Sequence, residues 1–168
     1  IEKNKDLITS IIKKLDDCRE KVDFCVVDLC QVNEIVAAVN SIIEKYGQVN
    51  LLINNARFRE PEKRDFLSEN EDSWDMTMGV NLRSHFFLCQ QISKKSIAEG
   101  FNLNIINIAS ISGRFVSNES PAYQISKAGL IHLTRYLAVT TSKYNIRVNC
   151  IMPGMIVKKM HTERFDSI

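Results

Sequence analysis

Nowhere among these 168 residues does an apolar run approach the ~20 that cross a bilayer, and the charged opening IEKNKDL does not read as a secretory leader. No membrane partner is expected, and a cytoplasmic location is the default. Net charge is nearly absent as well: 22 basic against 20 acidic residues leave +2, spread along the chain without a basic stripe. That points away from nucleic acid and toward small-molecule partners. The cysteines, Cys18, Cys25, Cys30, Cys89 and Cys150, are odd in number, with neither C-x-x-C spacing nor a His cluster beside them. Neither a metal site nor a disulfide framework is expected, and buried reduced thiols are. Repeats, low-complexity tracts and linkers are missing too, so one layered domain over residues 1–168 is the simplest organisation.

What is present is alternation. Leu7, Ile8, Ile11, Ile12 and Leu15 put an apolar face on a helix over about 2–20. VDFCVVDL (22–29) is a short, β-branched, nearly continuous apolar run, the pattern of a strand covered on both faces. From Val32 to Tyr46 the apolar residues return at helical spacing and stop at Gly47. Strand patterns then fall at 49–54, 103–110 and 146–154, with helices from about Trp74 to Gln91 and from about Ala122 to Ser142. Such alternation predicts an α/β fold, a doubly wound parallel sheet with helices on both faces. The polar stretch 57–70 reads as a solvated loop over the sheet edge.

In an open parallel sheet ligands bind beyond the carboxyl ends of the strands. Here those ends carry Asp28, NNAR (54–57), ASIS (109–112) and MPG (152–154). The helix after the third of these opens with PAYQISKAG, which puts Tyr123 and Lys127 four positions apart, on one helical face. A free phenol titrates near 10, and a neighbouring ammonium lowers that value, so Tyr123 is a candidate general acid or base. A Tyr-x-x-x-Lys match arises by chance about 0.3 times at this composition, so the pair gains weight only from its surroundings.

Those surroundings are Asn54-Asn55-Ala56 after an apolar strand, Asn81 in a helix, Ser110 ending the next strand, Tyr123-x-x-x-Lys127, and RVNCIMPG with Asn149, Pro153 and Gly154. In this order they resemble the short-chain dehydrogenase/reductase family over roughly residues 20–157. The resemblance implies a Rossmann-like fold and a nicotinamide-dependent oxidoreductase, using NAD or NADP on an alcohol or carbonyl substrate. It implies Tyr123 as proton donor or acceptor and Lys127 as its electrostatic partner and a ligand of the nicotinamide ribose. Ser110 would hold the substrate oxygen, in preference to the nearby Ser112, and Asn81 would support a proton relay behind Lys127. Asp28 would contact adenine, Asn54 and Ala56 would steady the sheet beside the cofactor, and Pro153 and Gly154 would flank the nicotinamide. A homodimer or homotetramer is implied too, packed through the helices bearing Asn81 and Tyr123.

The pattern also breaks. The family opens with two strands and a glycine-rich turn at a helix N-terminus. Here the glycines stand far apart, at 47, 79, 100, 113, 129 and 154, and residue 1 is Ile. The chain is therefore expected to be an incomplete sheet, part of a longer protein. Without the missing strands, 22–29 must pair directly with 49–54 or leave the sheet, since buried strand edges do not stay unpaired. Arg57 replaces the glycine that usually follows Asn-Asn-Ala, and Lys158 stands where a threonine often follows Pro-Gly. Two functions follow as expectations: a short-chain reductase, or a fragment of one, carrying the proton-transfer residues, and, as the alternative, a catalytically inactive subunit or scaffold that keeps the dimerisation helices.

Overall fold

A computed structural model of the chain describes residues 23–62 and 64–156. The elements run α1 (Val32–Tyr46), β1 (Leu51–Asn54), α2 (Glu71–Met78), a π-turn (Gly79–Arg83), α3 (Ser84–Glu99), β2 (Leu103–Ile108), a 3-10 turn (Ile111–Gly113), α4 (Pro121–Thr141), a second 3-10 turn (Ser142–Tyr144) and β3 (Ile146–Ile151). The expected helix over 2–20 and Lys158 lie outside the described residues.

The three strands form one parallel sheet in the order β1-β2-β3, with Leu52 opposite Ile105 and Ile105 opposite Val148. Strand alternation then separates the two faces. Leu103, Ile105, Ile146 and Val148 point into a core that also holds Val39 and Ile43 of α1 and Cys89 and Ile92 of α3. Above it, Leu130, Ile131 and Leu133 of α4 close over Ala109. Each such side chain, fully buried, is worth roughly 1.5–3 kcal/mol. On the other face Leu51 and Ile53 are half exposed, and Asn104, Arg147 and Asn149 are exposed. Among the described residues the helices thus cover one face of the sheet.

The helix ends follow local chemistry. Asn70 caps α2 through Oδ1, which accepts from the Ser73 N–H at 2.9 Å. Ser120 caps α4, with Pro121 in its first turn. Gly100 ends α3 in the left-handed region at φ 75°, its N–H donating to the Ser96 carbonyl at 2.9 Å.

Two sequence expectations need correction. Residues 23–28 form no strand and no ladder with β1; of the two outcomes expected for this segment, it leaves the sheet. Strand identity needs a hydrogen-bonding neighbour, and an apolar β-branched run without one forms no strand. It is tethered instead at its ends: Asp23 accepts from Lys45 and Tyr46 of α1, and the Cys30 carbonyl accepts from Arg83 Nη2 at 2.6 Å. The thiols are also less buried than expected. Only Cys89 of the described cysteines is buried, and Cys25 is exposed.

Candidate active site

The carboxyl end of β2 is the meeting point. Lys127, 1% exposed, runs back from α4 and donates from Nζ to the Ile108 carbonyl at 2.8 Å, two residues before Ser110. The same ammonium lies 5.9 Å from the centroid of the Tyr123 ring. Burial first, and the Arg57 guanidinium second, push the Lys127 pKa down to about 8. Ser110 is nearly buried and starts the 3-10 turn, its Oγ accepting from the Ser112 N–H at 3.2 Å. Ser112 is engaged elsewhere, accepting from Ser117 Oγ at 2.9 Å.

The loop behind Ser110 is fixed against α4 by contacts that sequence reasoning did not single out. A Cβ on Gly113 would lie 2.6 Å from the Lys127 carbonyl carbon and 2.8 Å from the Ala128 nitrogen, so only glycine lets this turn lie on the helix backbone. Gln124 clamps residues 117–119: its Oε1 accepts from the Ser117 N–H at 2.9 Å and its Nε2 donates to the Glu119 carbonyl at 2.7 Å. Only glycine's conspicuous place in ASISG hinted at the first of these, and nothing hinted at the second.

Asn81 lies in the π-turn, wholly buried. Its Oδ1 accepts from the Phe58 N–H at 2.6 Å, and its Nδ2 donates to the Phe58 carbonyl at 3.0 Å and to Ser126 Oγ at 3.3 Å. It therefore ties the loop after β1 to α4. Asn54 is buried as well, donating from Nδ2 to Asn107 Oδ1 at 2.8 Å, and Asn107 donates on to Thr134 Oγ1 at 2.9 Å. A polar rung thus joins β1, β2 and α4. Pro153 accepts from the Ile111 N–H at 3.1 Å, and a Cβ on Gly154 would meet only Ile111 Cδ1 at 3.7 Å, so the end of β3 reaches the same corner.

The remaining two positions are exposed. Asp28 is exposed and accepts from the Cys30 N–H at 2.8 Å, in a turn with no recorded contact to Ser110, Tyr123 or Lys127. Ala56 is exposed. The polar loop is mostly exposed among its described residues, as a solvated loop requires, and it is also tied down: besides the Phe58 tie, Arg59 pairs with Glu119 at 2.9 Å and Glu69 Oε2 accepts from the Ala122 N–H at 3.4 Å. It lies against the start of α4, because charged side chains there find partners in the helix end and its preceding loop.

Does this corner suit a nicotinamide? Lys127 uses one of its three N–H groups on Ile108, and no acceptor is recorded for the Ser110 and Tyr123 hydroxyls among the described residues. Those donors suit the oxygens of a ribose and of a reacting alcohol or carbonyl. A pyrophosphate cradle is a different matter: among the described residues no two glycines lie close together, and Gly113 is filled by helix backbone. The described residues fit the nicotinamide half of a dinucleotide.

A profile of the family described as short chain dehydrogenase matches residues 1–168. A probable galactose dehydrogenase from Rhizobium meliloti is 40% identical over 134 residues, covering 80% of this chain and 51% of its own length. A 2-dehydro-3-deoxy-D-gluconate 5-dehydrogenase from Escherichia coli is 37% identical over 127 residues, covering 76% and 49%. Among solved structures, a 3-oxoacyl-[acyl-carrier protein] reductase from Brucella melitensis in complex with NAD superposes with a TM-score of 0.83 at 32% identity, over 94% of this chain and 65% of that one. The chain spans about half the length of the curated relatives it matches.

Proposed function

The chain belongs to the short-chain dehydrogenase family, with that family's Rossmann-type α/β fold, and on that premise we propose that it is the catalytic part of an NAD(P)-dependent oxidoreductase acting on an alcohol or carbonyl. The observation that carries this reading is Lys127: a buried ammonium anchored on Ile108 and held beside the Tyr123 ring. A nicotinamide cofactor, when bound, supplies the hydride or accepts it. Everything else falls to this chain's own groups. Tyr123 gives its phenolic proton to the substrate oxygen in reduction and takes it back in oxidation. Lys127 stabilises the negative charge left on the phenol oxygen and offers its free N–H groups to the ribose. Ser110 holds the substrate oxygen by a hydrogen bond. Asn81 acts through the loop it pins, and any part in a proton relay behind Lys127 comes through that position. Asn54 and Ala56 border the cofactor, Pro153 and Gly154 flank its nicotinamide, and Asp28 is assigned to the adenine. Small molecules are the partners of such a site, and a cytoplasmic location suits them; no described helix is long and apolar enough to cross a membrane.

A second reading has its own support. Phe86 on α3 and Tyr136 and Val139 on α4 are exposed, apolar side chains suited to a second subunit, and the described residues include no pyrophosphate cradle. A non-catalytic subunit would need only such side chains. Titration with NADH and NADPH, followed by nicotinamide fluorescence, separates the two. Saturable binding, with turnover lowered about 10²–10⁴-fold in Tyr123→Phe, supports the oxidoreductase. No binding at millimolar cofactor supports the subunit.

A further inference from the structure

Beside the Tyr123 corner lies a cavity of about 520 Å³ between the loop after β1 and the loop before α4. Its walls are Arg57, Arg59, Glu60, Glu62, Glu119 and Ser120, with Pro61 its sole apolar contributor. Ligand pockets are usually lined mainly by apolar groups, and this one is nearly all charge. An apolar substrate would strip water from these groups and return nothing, at a cost of kilocalories per group. A hydroxylated one replaces that water, since hydroxyls donate to carboxylates and accept from guanidinium.

The charges sort further. Arg59 is paired with Glu119 at 2.9 Å, and Glu62 with Arg64 at 3.3 Å. Arg57 has no ion pair or hydrogen bond to another described residue, and neither has Glu60. Arg57 is the one nearer the strand tips: it follows Asn54 by three residues, and Asn54 is the register partner of Asn107, next to the Ile108 carbonyl that holds Lys127. Glu60 also borders a second, smaller cavity with Phe58 and Asn70. Among the described residues the Arg57 guanidinium therefore has no partner, and a planar guanidinium is matched best by a carboxylate held through two hydrogen bonds.

We propose that this cavity is the substrate pocket and takes a small polyhydroxylated acid, whose carboxylate is bound by Arg57 and whose hydroxyls are bound by the surrounding carboxylates and Ser120. The proposal rests on the oxidoreductase reading for what happens to the bound molecule, and on the cavity alone for its recognition.

Three probes of one size and different charge test this: sodium D-gluconate, D-galactose and D-glucosamine, titrated calorimetrically into the whole chain, into Arg57→Ala and into Arg57→Lys. The expected order is gluconate tighter than the other two by about tenfold or more, lost in Arg57→Ala and partly restored in Arg57→Lys. Equal binding of all three, tighter glucosamine, or no binding overturns the proposal. So does an Arg57→Ala defect confined to NADH and NADPH, which would assign the guanidinium to a cofactor phosphate. Turnover measured alongside separates the two readings. Arg57-dependent gluconate binding without nicotinamide turnover upholds the pocket and sinks the oxidoreductase, whereas turnover of neutral alcohols without a gluconate preference does the reverse.

Discussion

Lys127 reaches across from α4 to give the Ile108 carbonyl a 2.8 Å hydrogen bond at the tip of β2, and in doing so buries its ammonium almost completely. The folded pKa, about 8, lies below the ordinary 10.5. Between those values the unfolded chain holds the proton more firmly, so this group's contribution to stability rises with pH across the window and is at its least below pH 8. Denaturant unfolding from pH 7 to 11 is expected to show wild type gaining on Lys127→Met by at most about 3 kcal/mol. Parallel curves would mean that the ammonium is hydrated in the folded protein.

His85 makes the opposite kind of prediction, at acid pH. It is fully buried, its Nδ1 lies 3.0 Å from Ser84 Oγ, and among the described residues its Nε2 has no hydrogen-bond partner. Desolvation first, and the Lys127 charge second, push its pKa from 6.5 down to about 4. The unfolded chain therefore takes up the proton first as pH falls, and stability present above about 6.5 drains away toward 4. His85→Leu is expected to flatten that loss, and the ring resonances of wild type to stay neutral at pH 5.5. A ring titrating near 6.5 by NMR would defeat this account.

Gly113 and Gly100 form a matched pair of controls. Alanine at Gly113 must push the turn off the Lys127 backbone, an overpacking cost of about 1–3 kcal/mol that also shifts Ser110. At Gly100 the added methyl meets nothing within 4 Å, so only the φ of 75° opposes it, at about 1 kcal/mol. Turnover should fall in Gly113→Ala and hold in Gly100→Ala. Equal activity in both would show that the turn relaxes without disturbing Ser110.

Asn81→Leu removes three hydrogen bonds and leaves the Phe58 amide and carbonyl without that partner. A loss of about 1–3 kcal/mol is expected for each buried group left unsatisfied. Hydrogen exchange at the Phe58 amide should quicken well beyond the global change. Retained protection there would assign the loop's position to other contacts.

Wherever short-range pattern decides structure, the sequence was legible. α1 begins and ends at the residues its apolar spacing and Gly47 indicate, because a helix satisfies its own backbone. β1, β2 and β3 fall within the expected runs, and the Tyr123 and Lys127 pair comes to one face because both ride on one helix. The described residues 23–28 form no strand because the hydrogen bonds of one had to come from a neighbour that no local pattern supplies. The same reason hid the rest. That Gly113 lies on the Lys127 backbone, that Asn81 is bound to Phe58, and that Arg57 lends its field to Lys127 are meetings of segments tens of residues apart in two of the three cases. Residue order alone determined the elements and the placing of Tyr123 and Lys127 on one helix. Only tertiary packing decided which side chains are dry, which charges lack partners, and so what kind of molecule the corner can hold, since desolvation and proximity belong to no single segment.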